Sequence, residues 1–471
     1  MRQSTVILAA TAVFFVVTCV TAADKGAVDD PMLERFERRV NGEDGHRQII
    51  NAITNNDIKD LSLNRERLVT HDKLFSLKLE TTGVTNQKSS GRCWIFAGAN
   101  VLTPKIKQKL DQSDFELSHS YLAFWDKLEK ANFFLERVIE MRDRPLDDRS
   151  LTLEFDYLFG DGGWWHYFTD LIDKYGLVPV SAMPETKQSS ATGSFNGLAK
   201  HLLRRVASDI RERHRQGKNL EELRVIKANA LEDIYRLLVY NYGQPPKEFT
   251  FRYEKDVDST EQIIAKTYTP RSFFEECLAE DWPEYVTIVN NPSMDFDQLY
   301  ELEASRNIYE RPDFRVLNLP VEELKEYTLL SLMDSQAVWF SCDVGRENYG
   351  DSGVMAVGIY DFNGTFDMDF NLNKADRIRF KDISPNHAMV INGVDTSAAG
   401  APVKWRVENS WGTKRGDNGI WYMYDDWFTE YVLTVVIDKR LLSDEDRQKL
   451  KQKPDKIADW EPFFLALRNL D

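Results

Sequence analysis

Four residues spread across the 471-residue chain are of the types that acyl transfer to sulfur requires: Gln87, Cys93, His387 and Asn409. Cys93 follows the small-residue loop Ser89-Ser90-Gly91-Arg92 and opens the apolar run from Trp94 to Leu102. That pattern predicts a cysteine in the first turn of a buried helix, where unsatisfied N–H groups and the helix dipole favour thiolate. His387 opens another apolar stretch, directly after Ser384-Pro385-Asn386, so its imidazole is expected at the start of a strand. Asn409 closes the next strand-like stretch, where a hairpin would set its carboxamide beside the imidazole and fix the ring tautomer. Gln87, shortly before Cys93, can offer an amide donor to an oxyanion, joined by the backbone N–H of Cys93. Singly, each has an ordinary reading: a core cysteine, a structural histidine, a strand-end asparagine, a polar loop residue. Together they match one plan, a thiolate–imidazolium pair performing acyl transfer.

The elements that must hold these groups can be read from periodicity and punctuation. Residues 24–70 are polar and charged and are expected to form an N-terminal helical arm. A helical pattern covers 120–142, and the turn Gly160-Asp161-Gly162-Gly163 precedes another helix near Trp164. From 185 to 240 the pattern is helical and highly charged until Gly243-Gln244-Pro245-Pro246 breaks it. The end of the chain changes period, with strands expected at 336–343, 387–392, 403–409 and 431–437. Helices first and strands last indicate an α+β fold.

Composition limits what the chain can do. A hydrophobic content of 42% with 12% aromatic residues supports a packed core and excludes disordered and collagen-like chains. The formal net charge of −16 argues against nucleic acid as a main partner, because phosphate binding rests on clustered cations. Residues 1–22 read as an export leader: Arg2, an uncharged apolar run, then Val20-Thr21-Ala22 before Ala23. Cleavage after Ala22 would leave a net charge of −17, no further membrane-length apolar run, and a product that is periplasmic or secreted. An uncleaved anchor is the other reading of the same run. Of the four cysteines, Cys93, Cys277 and Cys342 lie beyond the leader, an odd number that leaves at least one thiol unpaired within the chain. Cys277 and Cys342 are expected to be buried structural residues. The sequence carries no zinc-ligand spacing and no phosphate-binding glycine loop, so neither a metal nor a cofactor is expected.

Three stretches together, Gln87 to Trp94, Asn386 to Met389 and Trp405 to Gly412, resemble the papain-like cysteine peptidases, and within them the bleomycin hydrolase/aminopeptidase C family. The likeness continues through Phe115 to Asn132 and Ala337 to Gly345. It implies a two-lobed papain-like fold, a helical lobe beside an antiparallel sheet lobe, with a helical insertion and a C-terminal arm. The implied division is a leader at 1–22, an arm at 23–70, the helical lobe at 71–184, a helical insertion and oligomerisation region at 185–330, the sheet lobe at 331–457 and the C-terminal arm at 458–471. By resemblance Cys93 is the nucleophile, His387 the general base and acid, Asn409 its orienter and Gln87 the oxyanion donor. Trp411 shields the His–Asn hydrogen bond, and Asp161-Gly162-Gly163 forms the strip along which substrate backbone runs. The implied activity is removal of N-terminal residues from peptides, in a homohexamer, with the arm occupying the cleft so that only a free N-terminus fits. Residues 468–471 run past the family's usual ending, and trimming near Leu467 is the expectation. A displaced arm would instead give an endopeptidase, and a plugged cleft a peptide-binding scaffold.

Overall fold

The computed structural model describes residues 26–41, 45–81, 83–257 and 260–463. The leader and residues 464–471, with the trimming site expected near Leu467, lie outside them. The chain divides into two compact units, Met1–Leu63 and Asn64–Asp471. The first contains the helices Asp30–Asn41, His46–Ile53 and Ile58–Ser62. Its boundary corrects the expected arm of 23–70: Asn64 belongs to the second unit, where its backbone N–H donates to the Ile359 carbonyl at 2.9 Å.

In the second unit the principal helices are α1 (Cys93–Leu110), α2 (His119–Glu140), α3 (Trp165–Tyr175), α4 (Gly193–Arg215), α5 (Leu220–Tyr242) and α6 (Val321–Met333). The strands are β1 (Leu77–Lys78), the hairpin β2 (Phe249–Val257) and β3 (Thr260–Tyr268), β4 (Tyr285–Val289), β5 (Gln298–Leu302), β6 (Phe314–Asn318), β7 (Val338–Cys342), β8 (Asn348–Tyr349), β9 (Val354–Met355), β10 (His387–Thr396), β11 (Pro402–Glu408), β12 (Ile420–Tyr424), β13 (Val432–Asp438) and β14 (Asp455–Ile457). Apart from the β2–β3 hairpin they form one sheet in the order β14-β5-β6-β4-β13-β7-β10-β11-β12-β9-β8, with β1 also paired to β10. The fold class is α+β.

Two expectations are corrected here. The region 185–330 is not a helical insertion throughout: beyond α5 it supplies a long hairpin and then β4, β5 and β6 to the main sheet. Charge periodicity marked α4 and α5, whereas Tyr285–Val289 and Phe314–Asn318 are short apolar runs, which periodicity alone does not assign. The sheet is also mixed: β5/β14, β4/β6 and β9/β12 are parallel. The pairs nearest His387, β10 with β7 and with β11, are antiparallel as expected.

Helix α1 runs through the core of the second unit. Trp94, Ile95, Leu102 and Ile106 are essentially inaccessible, and burying each such side chain contributes about 2 kcal/mol. A helix with apolar residues on nearly every face cannot lie at a surface. It rests on the sheet, where the Trp339 indole N–H of β7 donates to the Trp94 carbonyl at 3.3 Å. Cys277 and Cys342 are buried free thiols. Among the described residues no helix is long and apolar enough to cross a membrane.

Candidate active site

Strand register explains how His387 and Asn409 come together. In β10–β11 Val390 faces Glu408, and continuing that antiparallel register past the strand end sets His387 opposite Trp411, with Asn409 on the diagonal. Residues so related share one face of the sheet. The outcome is a stack of the His387 and Trp411 rings, centroids 4.7 Å apart and 28° from parallel. It also produces a 2.8 Å hydrogen bond between His387 Nε2 and Asn409 Oδ1. The Ser410 backbone N–H donates to the same Oδ1 at 2.7 Å, so that atom is the carbonyl oxygen and Nε2 must carry the proton. His387 therefore keeps its lone pair on Nδ1.

Cys93 is the first residue of α1 and is buried. The backbone N–H groups of Ala388, Trp94 and Cys93 itself favour its thiolate form. Burial pushes the Cys93 thiol up to about 11, against the downward pull of these donors. Burial also drives the His387 imidazole down to about 4, with the Asn409 contact acting the other way. Ala388 adjoins His387 in β10, so the sheet and the helix start converge on one sulfur. Cys93, Gln87, Asp161, His387 and Trp411 all line a cavity of about 690 Å³.

Gln87 spans the two sides of the site. Its Nε2 donates to the Ser90 carbonyl at 2.6 Å, its Oε1 accepts from the Ser410 hydroxyl at 2.6 Å, and its backbone N–H donates to the Ser410 carbonyl at 2.8 Å. The amide thus ties the loop before Cys93 to the segment after Asn409, and its second hydrogen remains for an oxyanion. Ser410, which sequence reasoning did not single out, is the residue that orients this amide. Only its place next to Asn409 hinted at it.

Asp161 has a structural part beside the one expected of it. It is buried, and its carboxylate accepts from the Gly91 backbone N–H at 2.9 Å, from Asn196 at 2.9 Å and from the Thr192 hydroxyl, while pairing with Lys127 at 2.6 Å. Burial opposes its charge, but Lys127 and these donors outweigh burial and hold the carboxyl well below the usual carboxylate range. The group therefore anchors the loop entering Cys93. Its main-chain carbonyl accepts from the Trp94 indole N–H at 2.7 Å. At Gly163 a Cβ would fall 2.6 Å from the Trp94 ring, so the close approach that glycine permits here is to α1. Gly162 offers its carbonyl to Lys130 at 2.5 Å. Neither Gly162 nor Gly163 is among the residues lining the cavity around Cys93, whereas Thr192, Asn196 and Lys200 of the α4 start are.

A second ion pair, in which Arg92 is buried, stands beside the nucleophile. Arg92 forms a two-pronged bridge to Glu185, 3.0 and 2.8 Å, and covers Phe96 with its guanidinium. Lys127, Asn196, Ser410 and Glu185 were all invisible to sequence reasoning, because each acts through contacts across long stretches of chain. Of the C-terminal arm, the described part is anchored through Asp459 to Ser150 at 3.2 Å, through Trp460 beneath Arg149, and through buried Phe463. Among the described residues no group of acidic, histidine or cysteine side chains could hold a metal ion.

Similarity to known proteins covers most of the chain. The family model described as the Peptidase C1-like family matches residues 27–464. Aminopeptidase C of Lactobacillus delbrueckii subsp. lactis is 35% identical over 436 residues, covering 92% of this chain and 96% of its own. Aminopeptidase G of the same subspecies is 37% identical over 431 residues, covering 91% and 97%. The crystal structure of PepW from Lactobacillus rhamnosis HN001 superposes with a TM-score of 0.89 at 34% identity, covering 93% of this chain and 99% of that one.

Proposed function

We propose that this chain, which belongs to the Peptidase C1-like family, is a cysteine aminopeptidase that removes N-terminal residues from peptides. The observation that carries the reading is the His387–Asn409 hydrogen bond in the same cavity as Cys93 at the start of α1, in a chain similar over nine-tenths of its length to named aminopeptidases.

The chemistry follows from the geometry. Asn409 Oδ1 accepts a hydrogen bond from the protonated Nε2, so His387 Nδ1 is the base that receives the Cys93 proton. Burial alone disfavours both charges, and each becomes the counter-ion of the other when they form together at the positive end of α1. The thiolate attacks the carbonyl carbon of the first peptide bond. The oxyanion is met by the Gln87 amide and the Cys93 N–H. His387 returns the proton to the leaving amine, releasing the shortened peptide. It then takes a proton from water as that water hydrolyses the thioester and frees the amino acid. Trp411, stacked on the imidazole, keeps water from the His–Asn bond.

The same reading extends to assembly and location. The chain forms a homohexamer, a reading supported by family resemblance, and residues 1–22, with their apolar run and small-residue end, direct export to a periplasm or the cell exterior.

The test compares an aminoacyl fluorogenic amide with its N-acetylated twin under reducing conditions. Cleavage of the free amine alone is the expected result. Preference for the blocked twin would make the chain an endopeptidase, and cleavage of neither would leave a peptide-binding scaffold. The pH profile of kcat/KM should be bell-shaped, because the active pair holds one proton between two groups: gaining a second ends activity on the acid side, and losing the last on the alkaline side. A flat profile between mildly acidic and mildly alkaline pH would overturn the ion-pair chemistry.

A further inference from the structure

A second cavity, of about 610 Å³, opens between the start of α3 and the strands β4, β5 and β6, and shares no lining residue with the catalytic one. Its volume lies within the range of roughly 300 to 1,000 Å³ typical of small-molecule sites. The walls are aromatic. The Trp165 indole meets the Tyr285 ring edge-on at 4.8 Å, Trp282 meets the same ring at 6.5 Å, and Phe314 lies stacked on His166 at 4.3 Å.

Charge in this cavity is unbalanced at one point. Lys439 is taken by Glu284 at 2.7 Å, Arg315 by Glu301 at 2.7 Å and Asp313 by Arg306 at 2.9 Å. Asp170, on α3, lines the same space, yet forms neither a hydrogen bond nor an ion pair among the described residues. Burial raises its carboxyl to about 6, with Arg311 pulling it down and Asp173 pushing it up. The buried indole N–H of Trp165 is likewise without a partner. A half-buried carboxylate is costly without a counter-charge, and aromatic faces attract cations. An organic cation entering this cavity would satisfy both conditions.

We propose that this cavity binds a small organic ammonium ion bearing an aromatic ring, with Asp170 as its counter-ion and Trp165, Trp282 and Tyr285 as its cage. The inference stands independently of the peptidase reading. It is tested by calorimetric titration of the full chain with phenethylammonium chloride and with its neutral counterpart 2-phenylethanol. The ammonium should bind at least about tenfold more tightly than the alcohol. Asp170→Asn should bring the two within about twofold, and Leu299→Trp, which fills the cavity, should remove both. Circular dichroism and a thermal melt of each variant report that it is folded. Alkylating Cys93 with iodoacetamide should leave the titration unchanged. Equal affinity for both probes, an unaltered preference in Asp170→Asn, loss of binding on alkylation of Cys93, or absence of saturable binding would each overturn the proposal.

Discussion

His387 is held by short-range sheet geometry, whereas Cys93 is held by residues gathered from distant parts of the chain. On the histidine side, β10 and β11 are joined by a short connection, and register alone brings His387, Asn409 and Trp411 onto one face. On the cysteine side, the loop leading to α1 is pinned by Asp161, which needs Lys127, Thr192 and Asn196, and by Arg92 on Glu185. The first arrangement is made of backbone pairing and ring stacking. The second depends on buried charges whose value collapses if one partner is lost. Orientation of the base should therefore be the robust part of the site, and placement of the nucleophile the vulnerable part.

Four substitutions or conditions break or sharpen this contrast. Cys93→Ala should lower kcat/KM at least about 10⁴-fold with little change in Tm, because the thiol supplies the covalent step and little of the packing. Asp161→Asn should cost about 3 kcal/mol of stability, since it leaves Lys127 buried without its counter-charge. A thermal melt would show it, and Lys127→Met in the same chain should recover part of the loss. An Asp161→Asn protein as stable as wild type would remove the distinction between the two sides.

Acid should also weaken the helical side more. Burial lowers both His119, stacked on Phe96 of α1, and His166 of α3 to about 3. Their folded values lie below the unfolded value near 6.5, so the unfolded chain binds the extra protons and stability is lost as pH falls below that value. Between pH 6.5 and 5.5 the two together should cost about 2 kcal/mol, read by denaturant unfolding at each pH. His387 adds a smaller share from the sheet side. The mildest effect on catalysis is expected from Asn409→Ala, about tenfold in kcat, because the Trp411 stack and the register still hold the ring while the tautomer is loosened.

Much of this could be read from the chain itself. The apolar run after Cys93 announced a buried helix, and 387–392 with 403–409 announced a hairpin, because long periodic or uninterrupted patterns carry their own secondary structure. The strands β4 to β6 were missed since short apolar runs after a charged helical stretch have no periodicity to separate strand from buried helix. The anchoring part of the Asp161 carboxylate was missed for a related reason. Its Asp-Gly-Gly context looked like an open strip for a ligand, whereas Lys127 and Asn196, which enclose its carboxylate, are far from it in sequence and carried no local mark.

By itself the sequence determined the residue types available for acyl transfer, the helix that begins with the nucleophile and the hairpin that carries the base. These depend on neighbours within a few residues, or on pairing across a short connection. Only the tertiary structure decided that Asp161 is an anchor, that Ser410 orients Gln87, that Gly163 makes room for Trp94, and that Asp170 stands among aromatic rings with no direct ion pair to the described residues. The physical reason is that burial and pairing of polar groups are properties of the packed whole. A carboxylate becomes a structural anchor or an unbalanced charge according to what the rest of the chain places within about 3 Å of it.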